Sequence, residues 1–195
     1  MREFFNYQSP YRTNIFLDLN LYERIIPLIG IVIIIYLIYK YRESFRRNKE
    51  LDKRFRYLMA ILLLLVYSSH YILRFALYGF DTIILPFHLC GIAMAFAIFL
   101  LFTNNKAIYS FVLMTGVLGS IISFINPIIG YDSSYYRYYQ FFIAHGILFI
   151  TPLYYFIVYK WYPGKKDLLK GYWILQGLAL FMIIFNYFMG TDFMF

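Results

Sequence analysis

The feature that most constrains this chain is a series of six apolar stretches, each about as long as a membrane-spanning helix. Such a helix needs about 20 predominantly apolar residues. The stretches lie at about 21–40, 57–79, 84–103, 107–126, 138–159 and 169–189. Of the 195 residues, 62% are hydrophobic and 14% are charged, whereas soluble domains have roughly 45–50% and 25%. The sequence therefore predicts an all-α, polytopic transmembrane helix bundle of about six helices, with residues 1–195 in a single domain.

The short connections between these stretches leave no room for a second, soluble domain. Residues 1–20 carry four charged side chains and have no compact apolar core followed by a small-residue cleavage site, so no secretory signal peptide is predicted. The first apolar stretch is expected to be a retained helix. Cys90 is the single cysteine, which excludes an intrachain disulfide and a four-thiolate metal site.

Positive charges are concentrated in every second connection between the apolar stretches. The first, third and fifth connections hold 13 of the 18 Lys and Arg residues: Lys40, Arg42, Arg46, Arg47, Lys49, Lys53, Arg54, Arg56, Lys106, Lys160, Lys165, Lys166 and Lys170. The second connection has none, and the fourth has only Arg137. Because Lys and Arg resist translocation, the pattern predicts a multi-pass cell-membrane protein with its N-terminus outside and loops 41–56 and 160–168 cytoplasmic. Membrane topology explains the net charge of +8, and nucleic acid is not an expected partner.

Polar residues within the apolar stretches gather near the end of the bundle that is predicted to face outside. A charged residue at the centre of a membrane helix costs about 2.5–3.5 kcal/mol, so each needs a partner or a water-filled cavity. A rise of about 1.5 Å per residue places the main polar residues at similar depths. They are His70, Arg74, His88, Cys90, Asn126, His145 and Asn186. Arg137 and Gln140 open the fifth stretch at the same end, and a polar cavity is predicted there.

Two interpretations of this polar layer are open. It forms a cavity for a substrate or solute, or it is a hydrogen-bond network that holds helices together. For Arg74 a further interpretation is that its side chain extends to the lipid headgroups. His88 and Cys90 point about 200° apart on a regular helix, so they pair with each other only if Pro86 leaves the helix start irregular. The base that would convert the Cys90 thiol into a thiolate is His145, on another helix, or His88.

The ligand pattern predicts no metal and no cofactor. Three histidines and one cysteine suit zinc chemically, but they show no recognisable ligand spacing. The chain has no nucleotide-binding glycine loop and nothing that indicates a haem or flavin site. A buried cysteine is often an inert apolar side chain, so an inert and a nucleophilic Cys90 are both open.

Five segments of the chain together resemble a known family. They are Lys53-Arg54-Phe55-Arg56-Tyr57, Leu85-Pro86-Phe87-His88-Leu89-Cys90-Gly91, Tyr138-Tyr139-Gln140-Phe141-Phe142-Ile143-Ala144-His145-Gly146, Asn186-Tyr187 and Gly190-Thr191-Asp192-Phe193-Met194-Phe195. The Pro-x-His-Leu-Cys and Phe-Phe-x-x-His-Gly pieces are fairly specific in combination. Over about residues 50–195, the chain resembles the bacterial YwaF-like integral membrane family, which is related to animal transmembrane protein 164.

This resemblance implies an activity. The animal relative is described as a cysteine-dependent acyltransferase that moves a fatty acyl chain onto lysophospholipids with the help of a histidine. Carried over by position, the resemblance implies Cys90 as the acyl-accepting nucleophile and His145 as the general base. In the animal protein the cysteine directly precedes the motif histidine, whereas here Cys90 follows His88 by two residues. Family members tend to continue into a further helix, so an end at Phe195 is expected of either a short protein or a fragment.

Two functions are therefore open. One is a lipid acyltransferase acting on phospholipid and lysophospholipid through Cys90 and His145, with His88 or Asn126 donating to the oxyanion. The other is a non-enzymatic carrier or small-molecule binding protein. The cavity residues expected in either case are His70, Arg74, Asn126, Arg137, Gln140 and Asn186. Membrane lipids are the expected partners, and the sequence leaves the oligomeric state open.

Overall fold

The described part of the chain is helical throughout its regular structure. A computed structural model describes residues 4–5, 19–79, 85–127 and 129–193. The helices are α1 (Leu21–Lys40), α2 (Arg42–Arg47), α3 (Lys49–Tyr78), α4 (Leu89–Thr103), α5 (Tyr109–Ile125), α6 (Tyr136–Val158) and α7 (Lys165–Met189). A short 3-10 turn, Lys106–Ile108, leads into α5. The all-α class predicted from the sequence is confirmed.

Five of these helices are long and apolar enough to cross a bilayer: α1, α3, α5 with its preceding turn, α6 and α7. Helix α4 is also apolar but has only 15 residues. At about 1.5 Å per residue it is roughly 22 Å long, which is less than the roughly 30 Å of a hydrocarbon core. The chain is a multi-pass membrane protein in which α4 is a sixth, shorter apolar helix.

The start of α4 differs from the predicted boundary at 84. The helix begins at Leu89, because Pro86 has no amide hydrogen to donate and disfavours the helical conformation in the residue before it. Residues 80–84, on which the predicted start falls, lie outside the described residues. His88 therefore occupies the position just before the helix rather than its first turn.

The charged connection between the first two apolar stretches is itself helical. It forms the short α2 and the first turns of α3, which begins at Lys49 rather than at 57. The Asn48 side chain caps α3 by accepting hydrogen bonds from the amides of Glu50 and Leu51 at 3.1 and 3.0 Å. The prediction of a loop at 41–56 is wrong in this respect, because hydropathy locates only the apolar part of a helix.

The positively charged connections meet at one end of the bundle, called the basic end below. Arg46 of α2 donates to the carbonyl oxygens of Ile157 and Val158 at the end of α6, at 2.7 and 2.8 Å. Arg56 of α3 donates to the carbonyl oxygen of Leu101 near the end of α4, at 2.6 Å. Helix α2 therefore lies beside the last turn of α6, and the first turns of α3 lie beside the last turn of α4.

The starts of α5 and α7 lie at the basic end as well. A Cβ on Gly171 of α7 would come within 3.1 Å of the Phe111 amide nitrogen, so the two helices touch at this glycine. Trp161, in the connection after α6, packs edge-on against Tyr109 of α5 with ring centroids 5.4 Å apart. The Lys106 ammonium lies 5.9 Å from the Trp161 ring. All three basic connections thus share one end of the bundle, as their alternation predicts.

Asp52 and Arg56 form a buried ion pair on α3 at the basic end. Two tyrosine hydroxyls link this pair to the end of α6. Asp52 and Arg56 are each only 7% exposed. Arg56 Nε donates to Asp52 Oδ2 at 3.1 Å, and the hydroxyls of Tyr154 and Tyr159 donate to Oδ1 and Oδ2, both at 2.6 Å. Burial and the hydrogen bond to Asp52 raise the pKa of Tyr159 to about 12, so this hydroxyl stays protonated at neutral pH. Three donors hold the carboxylate, which offsets the cost of burying its charge.

Helix α6 is the central element of the bundle and contacts α1, α3, α4 and α5. Tyr155 is fully buried, and its hydroxyl donates to the carbonyl oxygen of Leu100 in α4 at 2.9 Å. Helix α5 approaches closely because Gly116 has no side chain: a Cβ there would lie 3.0 Å from the carbonyl oxygen of Leu148. Small residues at such crossings let membrane helices pack backbone to backbone.

Removing one donor from Asp52 tests the importance of this ion pair. Tyr154→Phe leaves the ring in place but deprives Oδ1 of its hydrogen bond, and this is expected to cost about 1–3 kcal/mol of stability. The measurement is the thermal unfolding midpoint of the purified protein in detergent. Tyr162→Phe is the matched control because Tyr162 is 61% exposed. Equal midpoints for the two variants would contradict a stabilising role.

Candidate functional site

The end of the bundle opposite the basic end carries all three histidines and is called the histidine end. His70 lies in the last turns of α3, which begins at the basic end. His88 directly precedes α4, and His145 lies in the first half of α6, which ends at the basic end. The helix directions therefore bring the three histidines toward the same end.

His70 and three side chains within its electrostatic range are called the cationic cluster, after the two guanidinium groups among them. Arg74, Arg137 and His88 all interact electrostatically with His70, and Arg74 also interacts with His88. The His70 ring packs edge-on against Tyr71, with ring centroids 5.0 Å apart. Two guanidinium groups within electrostatic range of the same imidazole suit a phosphate or carboxylate ligand.

Cys90 lies in the first turn of α4, half-buried between α3 and α5. Its Sγ is 3.9 Å from the position that a Cβ would take on Gly119 of α5. The Ser123 side chain, one turn further along α5, is a hydrogen-bond partner of the thiol. On the other side, Tyr71 of α3 is within electrostatic reach of Cys90. The thiol therefore has polar neighbours and lies near the cationic cluster, because Tyr71 packs against His70.

His145 is buried in α6 and only 7% exposed. Its Nδ1 forms a hydrogen bond with the Phe141 carbonyl oxygen at 2.9 Å, and the two rings lie 4.2 Å apart. Because a carbonyl oxygen only accepts, Nδ1 carries the proton in the neutral ring and Nε2 is left as an acceptor. This tautomer is the one that a base acting through Nε2 requires.

Cys90 and His145 approach α5 at successive residues. The Cys90 thiol faces Gly119, while the backbone carbonyl oxygen of His145 accepts a hydrogen bond from Ser120 Oγ at 3.1 Å. Successive residues point about 100° apart on a helix, so the two helices that carry Cys90 and His145 flank α5. The thiol bonds to Ser123, and the imidazole bonds to the Phe141 carbonyl oxygen. Direct pairing of the thiol with the imidazole stays a prediction.

Arg137 and Gln140, the polar residues at the start of α6, are bonded to each other. Arg137 Nη1 donates to Gln140 Oε1, and Gln140 Nε2 donates to the Val66 carbonyl oxygen of α3 at 3.3 Å. Gln140 is only 4% exposed. It therefore joins α6 to α3 and helps to position Arg137 near His70. By contrast, Asn126 is exposed at the C-terminal end of α5.

Asn186 holds the chain segment that follows α7. Its Oδ1 accepts from the Thr191 hydroxyl and the Phe193 amide at 2.9 and 3.0 Å, and its Nδ2 donates to the Phe193 carbonyl oxygen at 2.8 Å. The Phe193 ring is thereby placed edge-on against His88, with centroids 5.1 Å apart. These three hydrogen bonds all stabilise the turn after α7, so the role of Asn186 in the described structure is to position Phe193 over His88.

A groove of about 640 Å³ lies between α1 and α6. Its walls are mainly apolar side chains such as Ile34 and Phe142, and Gly146, the neighbour of His145, also lines it. At the start of α1, Glu23 contributes a polar edge, where its Oε1 accepts from the Ser133 amide at 2.8 Å. The sequence did not reveal this groove, because its residues are ordinary members of two apolar stretches.

A second cavity, of about 470 Å³, lies at the basic end beside the buried ion pair. The sequence pattern did not predict this cavity, because cations in a connection are also typical of a solvent-exposed loop whose charges determine the membrane topology. The spacing of Asp52 and Arg56, four residues apart and therefore on one helical face, was the available signal. This spacing indicates a buried ion pair only together with the contacts that Tyr154 of α6 and Tyr159, just after α6, make with Asp52.

The described ranges contain no group of three or more His, Cys, Asp or Glu side chains that could hold a metal ion. The histidines at the histidine end are accompanied by arginines, which repel a cation. The cationic cluster is therefore better suited to an anionic group than to a metal.

Comparison with known proteins places this architecture in a family. The model of the TMEM164 family matches residues 19–195, which include all seven helices and the segments around Cys90 and His145. Comparison with curated proteins gives no match. Comparison with solved structures gives none either. The family match agrees with the relationship inferred from the sequence motifs, and this chain belongs to the TMEM164 family.

Proposed function

We propose that this chain is a membrane-embedded acyltransferase that moves a fatty acyl chain between phospholipid and lysophospholipid through Cys90. The observation that carries the proposal is the half-buried Cys90 thiol near the cationic cluster of His70, Arg74, His88 and Arg137. Arginine binds phosphate through paired hydrogen bonds. The cluster would hold the phosphate of a lipid while its ester carbonyl, which lies deeper in the membrane, reaches the thiol.

The transfer takes place in two balanced steps. In the first, the Cys90 thiolate attacks the ester carbonyl of a phospholipid, an acyl thioester forms, and the lysophospholipid alkoxide leaves with the proton taken from the thiol. In the second, the hydroxyl of another lysophospholipid attacks the thioester, and its proton returns to the thiolate as the new ester forms. The tautomer of His145 supports its role as the proton carrier, because Nε2 is left to accept.

The remaining tasks of the reaction would be carried out by His88, Ser123 and the groove between α1 and α6. His88 is exposed and directly precedes α4, where an imidazole can donate to the oxyanion of the tetrahedral intermediate. Ser123 would orient the Cys90 thiol. The groove between α1 and α6 has the apolar walls that a fatty acyl chain requires.

The nucleophile is tested with Cys90→Ala and Cys90→Ser in liposomes that contain labelled phospholipid and unlabelled lysophospholipid. Removing the thiol should reduce the rate of acyl exchange to about a thousandth or less, because the residual groups cannot form the thioester. Cys90→Ser provides the matched case, since it keeps a small polar side chain that can still bond to Ser123. Retained exchange in Cys90→Ala would contradict the proposal. If Cys90→Ala then still binds lipid and Arg74→Ala does not, a non-enzymatic carrier would be favoured.

The general base is tested with His145→Gln, compared with His88→Gln. His145→Gln should lower the exchange rate about 10²–10⁴-fold and remove the limb of the pH–rate profile that reports the base. It should also slow alkylation of Cys90 by a membrane-permeant maleimide. His88→Gln should lower the rate but leave the alkylation rate unchanged. The assignment of His145 is wrong if its variant keeps the wild-type pH profile and thiol reactivity.

The proposal also includes an orientation: the basic end faces the cytoplasm and the histidine end faces outside. The concentration of Lys and Arg at one end of the bundle supports this orientation. In a Cys90→Ser background, a cysteine is introduced at exposed Asn126 or at exposed Lys166. An impermeant maleimide added to intact cells should label Asn126→Cys, and should label Lys166→Cys only after permeabilisation. The reverse labelling pattern would overturn the orientation.

A further inference from the structure

The cavity at the basic end is lined by an unusual concentration of cations. The lining residues that matter here are Arg46, Lys49, Asp52, Lys53, Arg56 and Asn104. Its volume of about 470 Å³ lies within the roughly 300–1,000 Å³ typical of small-molecule sites. We propose that this cavity binds the phosphate-bearing headgroup of an anionic membrane phospholipid. This site is separate from Cys90 and does not depend on the acyltransferase proposal.

The charges in the lining do not cancel. Asp52 is the only carboxylate among the lining residues, and Arg56 and two tyrosine hydroxyls already hold it. Arg46 is paired with a glutamate outside the lining. Within the described ranges, no carboxylate lies within ion-pair distance of Lys49 or Lys53. The cavity therefore keeps at least two ammonium groups for an anion.

The position of these two lysines on α3 strengthens the argument. Lys49 is the first residue of the helix, and Lys53 follows one turn later. The N-terminal end of a helix carries roughly half a positive charge, so cations in this position are unfavourable by themselves. Asn48 already caps this end of α3, so an anion bound beside the lysines would offset the repulsion by interacting favourably with their two ammonium groups.

The side chain of Asn104 indicates that the ligand also carries a hydrogen-bond donor. This residue ends α4 in the left-handed conformation, at φ 56°, and lines the cavity. Its side-chain Oδ1 is buried and has no hydrogen-bond partner in the described part of the chain. A buried acceptor of this kind requires a donor. A phosphodiester has no hydrogen-bond donor, whereas a glycerol headgroup has hydroxyls that donate. Phosphatidylglycerol therefore suits both the ammonium groups of the cavity and the Asn104 acceptor.

The surroundings of the cavity fit the edge of a membrane. Tyr57 lies beneath the Lys53 ammonium, 5.5 Å from it, and Trp161 stacks on Tyr155 at 4.7 Å. Trp and Tyr concentrate at the level of the lipid headgroups. Basic pockets between transmembrane helices at this level are suited to anionic headgroups. A lipid is thus favoured over a solute from the aqueous phase.

The test is ligand binding to the full-length protein in a neutral detergent, measured by thermophoresis. The probes are dioctanoyl phosphatidylglycerol, dioctanoyl phosphatidylcholine and inorganic phosphate. Lys49→Gln with Lys53→Gln should weaken phosphatidylglycerol binding about tenfold or more. The matched control is Lys166→Gln with Lys170→Gln, which removes the same charge from exposed positions of α7 outside the lining and should change the affinity less than twofold.

Asn104→Gly removes the unpartnered acceptor while tolerating the left-handed conformation, so it separates the two features. It should weaken phosphatidylglycerol but not inorganic phosphate. If inorganic phosphate binds as tightly as phosphatidylglycerol, the ligand is a free anion, and its assignment as a lipid headgroup is overturned. If both double-lysine variants lose affinity equally, binding is a diffuse charge effect and the site is overturned. Lys49→Gln with Lys53→Gln should keep the wild-type rate of acyl exchange, so this proposal and the acyltransferase proposal can fail separately.

Discussion

A polar group that is buried away from water must find its partner within the protein. The structure depends on this constraint most visibly at Asp52, whose charge is held by Arg56 and by the hydroxyls of Tyr154 in α6 and Tyr159 just after it. The same constraint acts on Gln140, which bonds to a backbone carbonyl oxygen of α3. Polar contacts between α3 and α6 thus occur at both ends of the bundle, with apolar packing between them.

Helix α6 links the two polar regions of the molecule. Its C-terminal half donates to Asp52 and stacks aromatic rings at the basic end, while its N-terminal half carries Gln140 and His145. Helix α5 packs closely against it through Gly116.

The two ends also differ in what they offer to lipids. The histidine end combines the cationic cluster with the thiol, which suits binding followed by chemistry. The basic end combines lysines with an unpartnered amide oxygen and contains no cysteine, so it suits binding alone. Two lipid sites on opposite leaflets would give this small bundle one site for reaction and another for retention or orientation in the membrane.

The sequence alone determined the class, the approximate spans and the sharing of one end by the basic connections, because hydropathy and charge act segment by segment. It also indicated the family through the residues around His88, Cys90 and His145. It could not show that Asn186 bonds to Phe193, or that Asp52 is buried rather than solvated. Those facts depend on which helices become neighbours. Only the tertiary structure decided that, because glycine positions, aromatic packing and partners more than 100 residues apart act together only in the folded chain.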